Sequence, residues 1–204
     1  MSVHDVDVSL PYGRDKRTFG QKSAFLRSTP FTTTDIIVIS MFGSLGIVAG
    51  MLGNILHGAS MIVPFIGPFV LHTLIPGIVL FSCIATVRKV GTATILCLIT
   101  GLVAMPLAGA PLFIFSYIAY GLVLDGMILV LGRRMWTRPG IALASVIWGA
   151  VALYMLYYVV MRFQGIELPV WVFLASLPIN IAFAIPAALY GLSLGRRAQS
   201  ALMG

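Results

Sequence analysis

The sequence predicts an all-α, polytopic membrane protein of six transmembrane helices with both ends on the cytoplasmic side. Three observations lead there. Of 204 residues, 59% are hydrophobic and 9% charged, with a mean hydropathy of +1.03, which leaves too few polar groups for a water-facing shell. The apolar residues fall into six uncharged runs. A helix needs roughly 20 residues to cross the hydrocarbon core, so six spans with short connections use most of the chain and leave no room for a soluble catalytic domain. Finally, the basic residues cluster at every second gap between the runs.

The first 34 residues form a polar tail carrying Arg14, Lys16, Arg17, Lys22 and Arg27, without the apolar run and small-residue cleavage site of a signal peptide. They read as a cytoplasmic segment, partly disordered. The first span follows at Asp35 to Leu56. Thr32, Thr33 and Thr34 offer capping hydroxyls, and Asp35 sets a carboxylate against the positive end of the helix dipole. Within this span Gly43, Gly46, Gly50 and Gly53 recur on one face that ends at His57. Small residues allow close helix approach in lipid, so the face is either a seam inside the bundle or a docking surface for another subunit. Ser40 and Ser44 form a second pair of small residues beside it. The stretch from Gly58 to Pro68 is broken by Pro64, Gly67 and Pro68, is too short to cross, and reads as a loop dipping into the membrane edge.

The second and third spans, Phe69 to Val87 and Gly91 to Leu107, hold His72 and the two cysteines, Cys83 and Cys97. Both cysteines sit in apolar surroundings and read as small packing residues. The fourth span, Leu112 to Leu131, contains Asp125, which shares a stripe with Tyr117 and Gly121 at i, i+4, i+8 spacing. A carboxylate inside a span needs a partner, so Asp125 is either a ligand-binding group or a hydrogen-bond acceptor for a neighbouring helix. The fifth span runs from Ile141 to Met161 and carries Tyr154, Tyr157 and Tyr158 near its end; Gln164 and Glu167 follow in the next loop. In the sixth, Val170 to Leu194, Pro178 and Pro186 each remove a backbone donor, with Asn180 between them. Either simple kinks or a substrate-shaping interruption would account for them. Residues 197–204 complete the chain as a cytoplasmic end, leaving 35–196 as the membrane domain.

Orientation follows from charge. With the N-terminus inside, the tail, Arg88 and Lys89, then Arg133, Arg134 and Arg138, then Arg196 and Arg197 place twelve of the thirteen basic residues on the cytoplasmic side, and only Arg162 outside. An odd number of spans would spoil that alternation. The net charge of +7 is therefore a topology and lipid-headgroup signal rather than a mark of nucleic-acid binding.

Two motifs carry no chemistry. Gly191-Leu192-Ser193-Leu194-Gly195 matches the nucleophile pattern G-x-S-x-G, but it closes an apolar helix where that motif requires a strand before the serine. It reads as packing glycines at a helix end. The histidines at 4, 57 and 72 lack metal-ligand spacing, so no metal site and no catalytic pair is expected. The outer half does collect polar and aromatic groups: Asn54, His57, His72, Tyr117, Tyr120, Tyr154, Tyr157, Glu167 and Asn180. An interfacial aromatic belt explains part of the set. Asn54, His57 and His72 point instead to an outward-facing pocket walled by aromatics and pinned by a few polar groups.

The stretch Thr34 to Asn54, with Asp35-Ile-Ile-Val-Ile-Ser-Met-Phe-Gly-Ser44-Leu-Gly46, resembles the first span of the S components of energy-coupling factor (ECF) transporters. The likeness continues through Gly67-Pro68, Pro76-Gly77-Ile78, Arg88-Lys89-Val90-Gly91-Thr92-Ala93, Pro106-Leu-Ala-Gly109 and Gly121-Leu-Val-Leu-Asp125, and is greatest for the YkoE-type subgroup associated with thiamine or its hydroxymethylpyrimidine precursor. It is fullest over Thr34 to Trp136. The resemblance implies a six-helix binding subunit in the cell membrane that captures a vitamin or vitamin precursor on its outer face and is not itself an enzyme. ATP would be used by two partner ATPase subunits, joined through a coupling membrane subunit. It also implies that a small-xxx-small pair in the first helix docks the coupling subunit; here Ser40 and Ser44, with Gly43 between them, stand where the family usually has alanines. Only Glu167 at the outer side and Asp125 deep in a span could accept a cationic ring, so a neutral or weakly basic ring compound suits the inventory better. The alternative function is a stand-alone small membrane carrier or channel.

Overall fold

The computed structural model describes residues 30–59, 73–108, 113–155, 165 and 170–203. Six long helices account for nearly all of them, one for each apolar run: α1 (Thr33–Ala59), α2 (Ile75–Val87), α3 (Thr92–Ala108), α4 (Phe113–Leu131), α5 (Arg138–Met155) and α6 (Val170–Met203). Uninterrupted Leu, Ile, Val, Ala and Phe supply helix propensity and apolar surface, and the Gly, Pro and basic residues between the runs end them.

The first helix starts on a reciprocal cap. The Asp35 amide donates to Thr32 Oγ1 at 3.2 Å, while the Thr32 amide and hydroxyl each donate to Asp35 Oδ2 at 2.7 Å. α2 is preceded by a π-type turn at 73–74 and has Pro76 in its first turn; it ends at Arg88 in a left-handed conformation (φ 53°). That reversal turns the chain directly into α3.

Among the described residues three boundaries differ from expectation by three residues or more. α1 runs to Ala59, past Leu56 and into the first two residues of the stretch read as a loop from Gly58. The fifth helix begins at Arg138, three residues before Ile141, because Thr137 caps it: Thr137 Oγ1 accepts from the Gly140 amide at 3.3 Å. Pro139 fits the first turn, where an amide hydrogen would be unsatisfied anyway. A 3₁₀ turn, Gly132–Trp136, with Gly132 at φ 52°, links it to α4. The sixth helix runs on to Met203, so Gly191 and Gly195 lie inside a continuous helix rather than at its end. Their smallness serves packing: a β-carbon on Gly191 would stand 2.9 Å from the Ile78 carbonyl oxygen, and one on Gly195 2.6 Å from the Ser82 carbonyl oxygen. The helix also runs unbroken through Pro178 and Pro186, both exposed on its outer side.

α1 packs on α2 and α3, α2 lies along α6, α3 pairs with α4, and α5 bridges α4 and α6. Phe81, Ile84, Leu124, Met135 and Ile141 are fully buried at the centre, with Cys83 and Cys97 among the core residues. The outer surface is equally apolar, with Met41 68%, Phe115 66%, Val130 82% and Leu174 60% exposed. A helix apolar all round needs an apolar surrounding. Among the described residues, Ile114–Trp136, Arg138–Met155 and Phe173–Ala201 are long and apolar enough to cross a membrane; Thr33–Ala49, Ile75–Val87 and Thr92–Ala104 are shorter apolar segments.

The alternating basic segments meet at one end of the bundle. Lys89 Nζ lies 2.6 Å from Asp35 Oδ2 and donates to the Pro30 carbonyl at 3.1 Å, clipping the start of α1 to the α2–α3 turn. Arg88 stacks over the Trp136 ring at 5.6 Å, and Arg196 donates to the Trp136 carbonyl at 2.7 Å. Burial, and then the like charge of Arg196, lower the pKa of Arg88 from its ordinary value.

Candidate functional site

The stripe on α4 proves to be a helix-packing seam. Tyr117 covers Gly101 of α3, where a β-carbon would come within 3.0 Å of Tyr117 Cβ; at Gly121 a β-carbon would stand 2.5 Å from Thr94 Cα. One turn further on, buried Asp125 accepts hydrogen bonds from the Ala93 amide (3.3 Å), the Thr94 amide (2.9 Å) and the Thr94 hydroxyl (2.5 Å). The first amides of a helix have no partner within it, so α4 supplies the cap that α3 lacks. Of the two roles open to Asp125, the hydrogen bond to a neighbouring helix is the one its contacts display.

A second polar cluster lies far from the basic end. Asn180 is sixteen residues before Arg196 along α6, about 24 Å at the helical rise. Its side chain is 2% exposed; Oδ1 accepts from the Thr73 hydroxyl at 2.7 Å and Nδ2 donates to the Gly149 carbonyl at 2.8 Å. One amide thereby joins the entry to α2, the middle of α5 and α6. Beside Gly149, the Trp148 indole is buried against Gly77 and meets Phe81 edge-on at 5.7 Å, and its Nε1 has no hydrogen-bond partner among the described residues. Ser116 Oγ, at the same end of α4, is likewise buried without a partner. Buried donors are normally satisfied; these two, like Thr92 Oγ1 at the start of α3, have no hydrogen-bond partner among the described residues.

Tyr120 donates to the Ala152 carbonyl at 3.4 Å and packs edge-on against Tyr117 at 5.9 Å, closing the α4–α5 side. Tyr154 is 49% exposed on the bundle surface. The side chains of Asn54 and His57, and residues His72, Tyr157 and Glu167, lie outside the described residues, as does most of the Gly58 to Pro68 loop. Of the expected pocket residues, therefore, Asn180, Tyr117 and Tyr120 sit inside the bundle, and Tyr154 sits at its edge. Thr73, Ser116 and Trp148 were not anticipated; each is a single polar atom in an apolar run, and no spacing betrays it.

On α1 the glycine face turns inward at its described positions: Gly43 meets Ile99 and Leu96 of α3, and Gly46 meets Val79 and Thr100. Gly43 is thus part of the internal seam and is not available to an outside partner. Ser40 is half-buried and Ser44 is exposed, its hydroxyl donating to the Ser40 carbonyl at 3.0 Å. Around Ser44, Ile37, Met41, Leu45 and Val48 are each at least half exposed.

No protein-family model matches this chain, and no curated protein matches it. Among solved structures it is similar to an S-component of an ECF transporter, with a TM-score of 0.60 and 21% identity over 85% of this chain and 86% of that one. The fold is an S-component fold.

Proposed function

We propose that the chain is the substrate-binding subunit of an ECF-type transporter, embedded in the cell membrane by six spans with both ends cytoplasmic. The observation that carries this reading is the S-component fold extending over 85% of the chain. Three features support it. The basic residues at the described turns gather at one end of the bundle, as cytoplasmic retention of positive charge requires. Trp148 Nε1, next to the Asn180–Gly149 contact, and Ser116 Oγ near the start of α4 are buried donors without a partner among the described residues. The exposed strip of α1 around Ser44 offers small and apolar groups to a membrane partner.

In this function the chain captures a vitamin or vitamin precursor from outside, a weakly basic ring compound of the thiamine-pyrimidine type, held by aromatic walls and a few neutral hydrogen-bonding groups. The neutral Trp148 indole and Ser116 hydroxyl suit such a ring, whereas the buried carboxylate among the described residues, Asp125, is already engaged at α3. The chain itself hydrolyses no ATP; a coupling membrane subunit, docking at Ser40 and Ser44, and two ATPase subunits drive release inward. The test is a thermal-shift screen of thiamine, hydroxymethylpyrimidine and other vitamins on detergent-purified protein. A ligand at about a hundred times its Kd adds about 2.7 kcal/mol of apparent stability. A panel without any stabilising compound counts against nutrient capture, and uptake by the chain alone in proteoliposomes would instead establish a stand-alone carrier.

A further inference from the structure

The basic end of the bundle contains a small cavity of about 230 Å³ lined by Arg138, Leu189, Leu192, Ser193 and Arg196. It is smaller than the roughly 300–1,000 Å³ of usual small-molecule sites, and it lies at the end of the bundle opposite to Asn180. Its chemistry is divided. Leu192 is buried and forms an apolar floor, Leu189 is at the rim, and two exposed guanidinium groups stand above. Arg196 spends one donor on the Trp136 carbonyl and keeps the others. The Ser193 hydroxyl donates to the Tyr190 carbonyl at 2.7 Å.

Among the described residues neither arginine has a carboxylate to balance it. The described residues include two acids: Asp35 is paired with Lys89, and Asp125 caps α3. Arg88 adds a further positive charge close to Arg196. Two arginines beside an apolar floor match a ligand that is anionic at one end and hydrocarbon at the other. Guanidinium groups bind phosphate oxygens through paired hydrogen bonds. A free phosphate would use the arginines and leave the leucines idle.

We propose that this cavity binds the phosphodiester headgroup of an anionic phospholipid, with Leu189 and Leu192 against the start of its acyl chains. The proposal rests on the membrane placement given above but not on the transport reading. Bound lipid would hold the α4–α5 turn and the end of α6 together at the membrane surface through the Arg196–Trp136 contact.

The test measures retention of phosphatidylglycerol, phosphatidylcholine and inorganic phosphate by the detergent-purified full chain, using native mass spectrometry. Phosphatidylglycerol should bind in preference to phosphatidylcholine. In the double variant Arg138→Gln/Arg196→Gln its affinity should fall roughly thirty-fold, from about 1 kcal/mol for each basic group near an anionic headgroup. Arg133→Gln/Arg197→Gln, which removes two charges outside the cavity, should change it much less. Equal losses in both variants would reduce the effect to diffuse surface charge and overturn the site. Displacement of the lipid by equimolar inorganic phosphate would show a simple anion site and overturn the lipid assignment. Should the double variant fail to fold, Arg138→Gln alone replaces an exposed residue and should cost about fivefold; unchanged binding there also overturns the proposal.

Discussion

Thr94 donates both its backbone amide and its hydroxyl to the Asp125 carboxylate, at 2.9 and 2.5 Å, so that the fourth helix closes the open end of the third. In apolar surroundings no water replaces such a partner. Asp125→Ala should therefore lower unfolding stability by about 2–4 kcal/mol and Thr94→Val by about 1 kcal/mol, consistent with the cost of unsatisfied buried donors. Chemical unfolding in detergent checks this. Full stability of Asp125→Ala together with loss of ligand binding would return Asp125 to the ligand site.

Gly121 and Gly126 make a matched pair on α4. A β-carbon at 121 meets the Thr94 backbone at 2.5 Å, which cannot rotate away, whereas at 126 it meets nothing within 4 Å. Gly121→Leu should prevent the α3–α4 approach and leave little folded protein. Gly126→Ala should be neutral or stabilising by up to about 1 kcal/mol, from helix propensity. Size-exclusion profiles and melting temperatures distinguish them.

Trp148→Phe keeps a ring against Gly77 and Phe81 while deleting the unpartnered N–H. Its cost in stability should stay within about 1.5 kcal/mol, as for other near-isosteric core changes. If the indole holds ligand, the ligand-induced thermal shift falls sharply. Asn180→Leu should lower stability and binding together, because it severs the links to both Thr73 and Gly149. A full ligand shift in Trp148→Phe would place the ligand elsewhere.

Ser44→Trp and Leu45→Trp enlarge the exposed apolar side of α1, and each should leave the isolated protein within about 0.5 kcal/mol of the parent. Both should abolish recovery of a coupling subunit. Gly43→Leu should instead destabilise the isolated protein, since its β-carbon would already stand 3.1 Å from Ile99. Partner recovery and melting temperature, measured on the same preparations, separate docking from packing.

The helices were legible in the sequence because each is one uncharged run, and the clustering of basic residues at one end was legible from their alternation. What escaped reading depends on contacts across the chain. The cap at Thr137 brings the start of α5 forward by three residues, and α6 continues through Arg196 because its late glycines lie against α2 rather than ending a helix. The stripe of Tyr117, Gly121 and Asp125 was visible, but its partner was not, since Thr94 lies about thirty residues away in sequence. Lys89 and Asp35 are another such pair, at a separation of 54 residues. Thr73 and Trp148 could be found only once three helices were assembled around Asn180.

The most direct test of the central claim is affinity purification of the tagged chain from its own membranes in mild detergent, with every co-purifying subunit identified. The account predicts recovery of a coupling membrane subunit with two ATPase subunits, lost in Ser44→Trp. Recovery of the chain alone under conditions that preserve a known ECF complex, together with solute uptake by that chain in proteoliposomes, would contradict it.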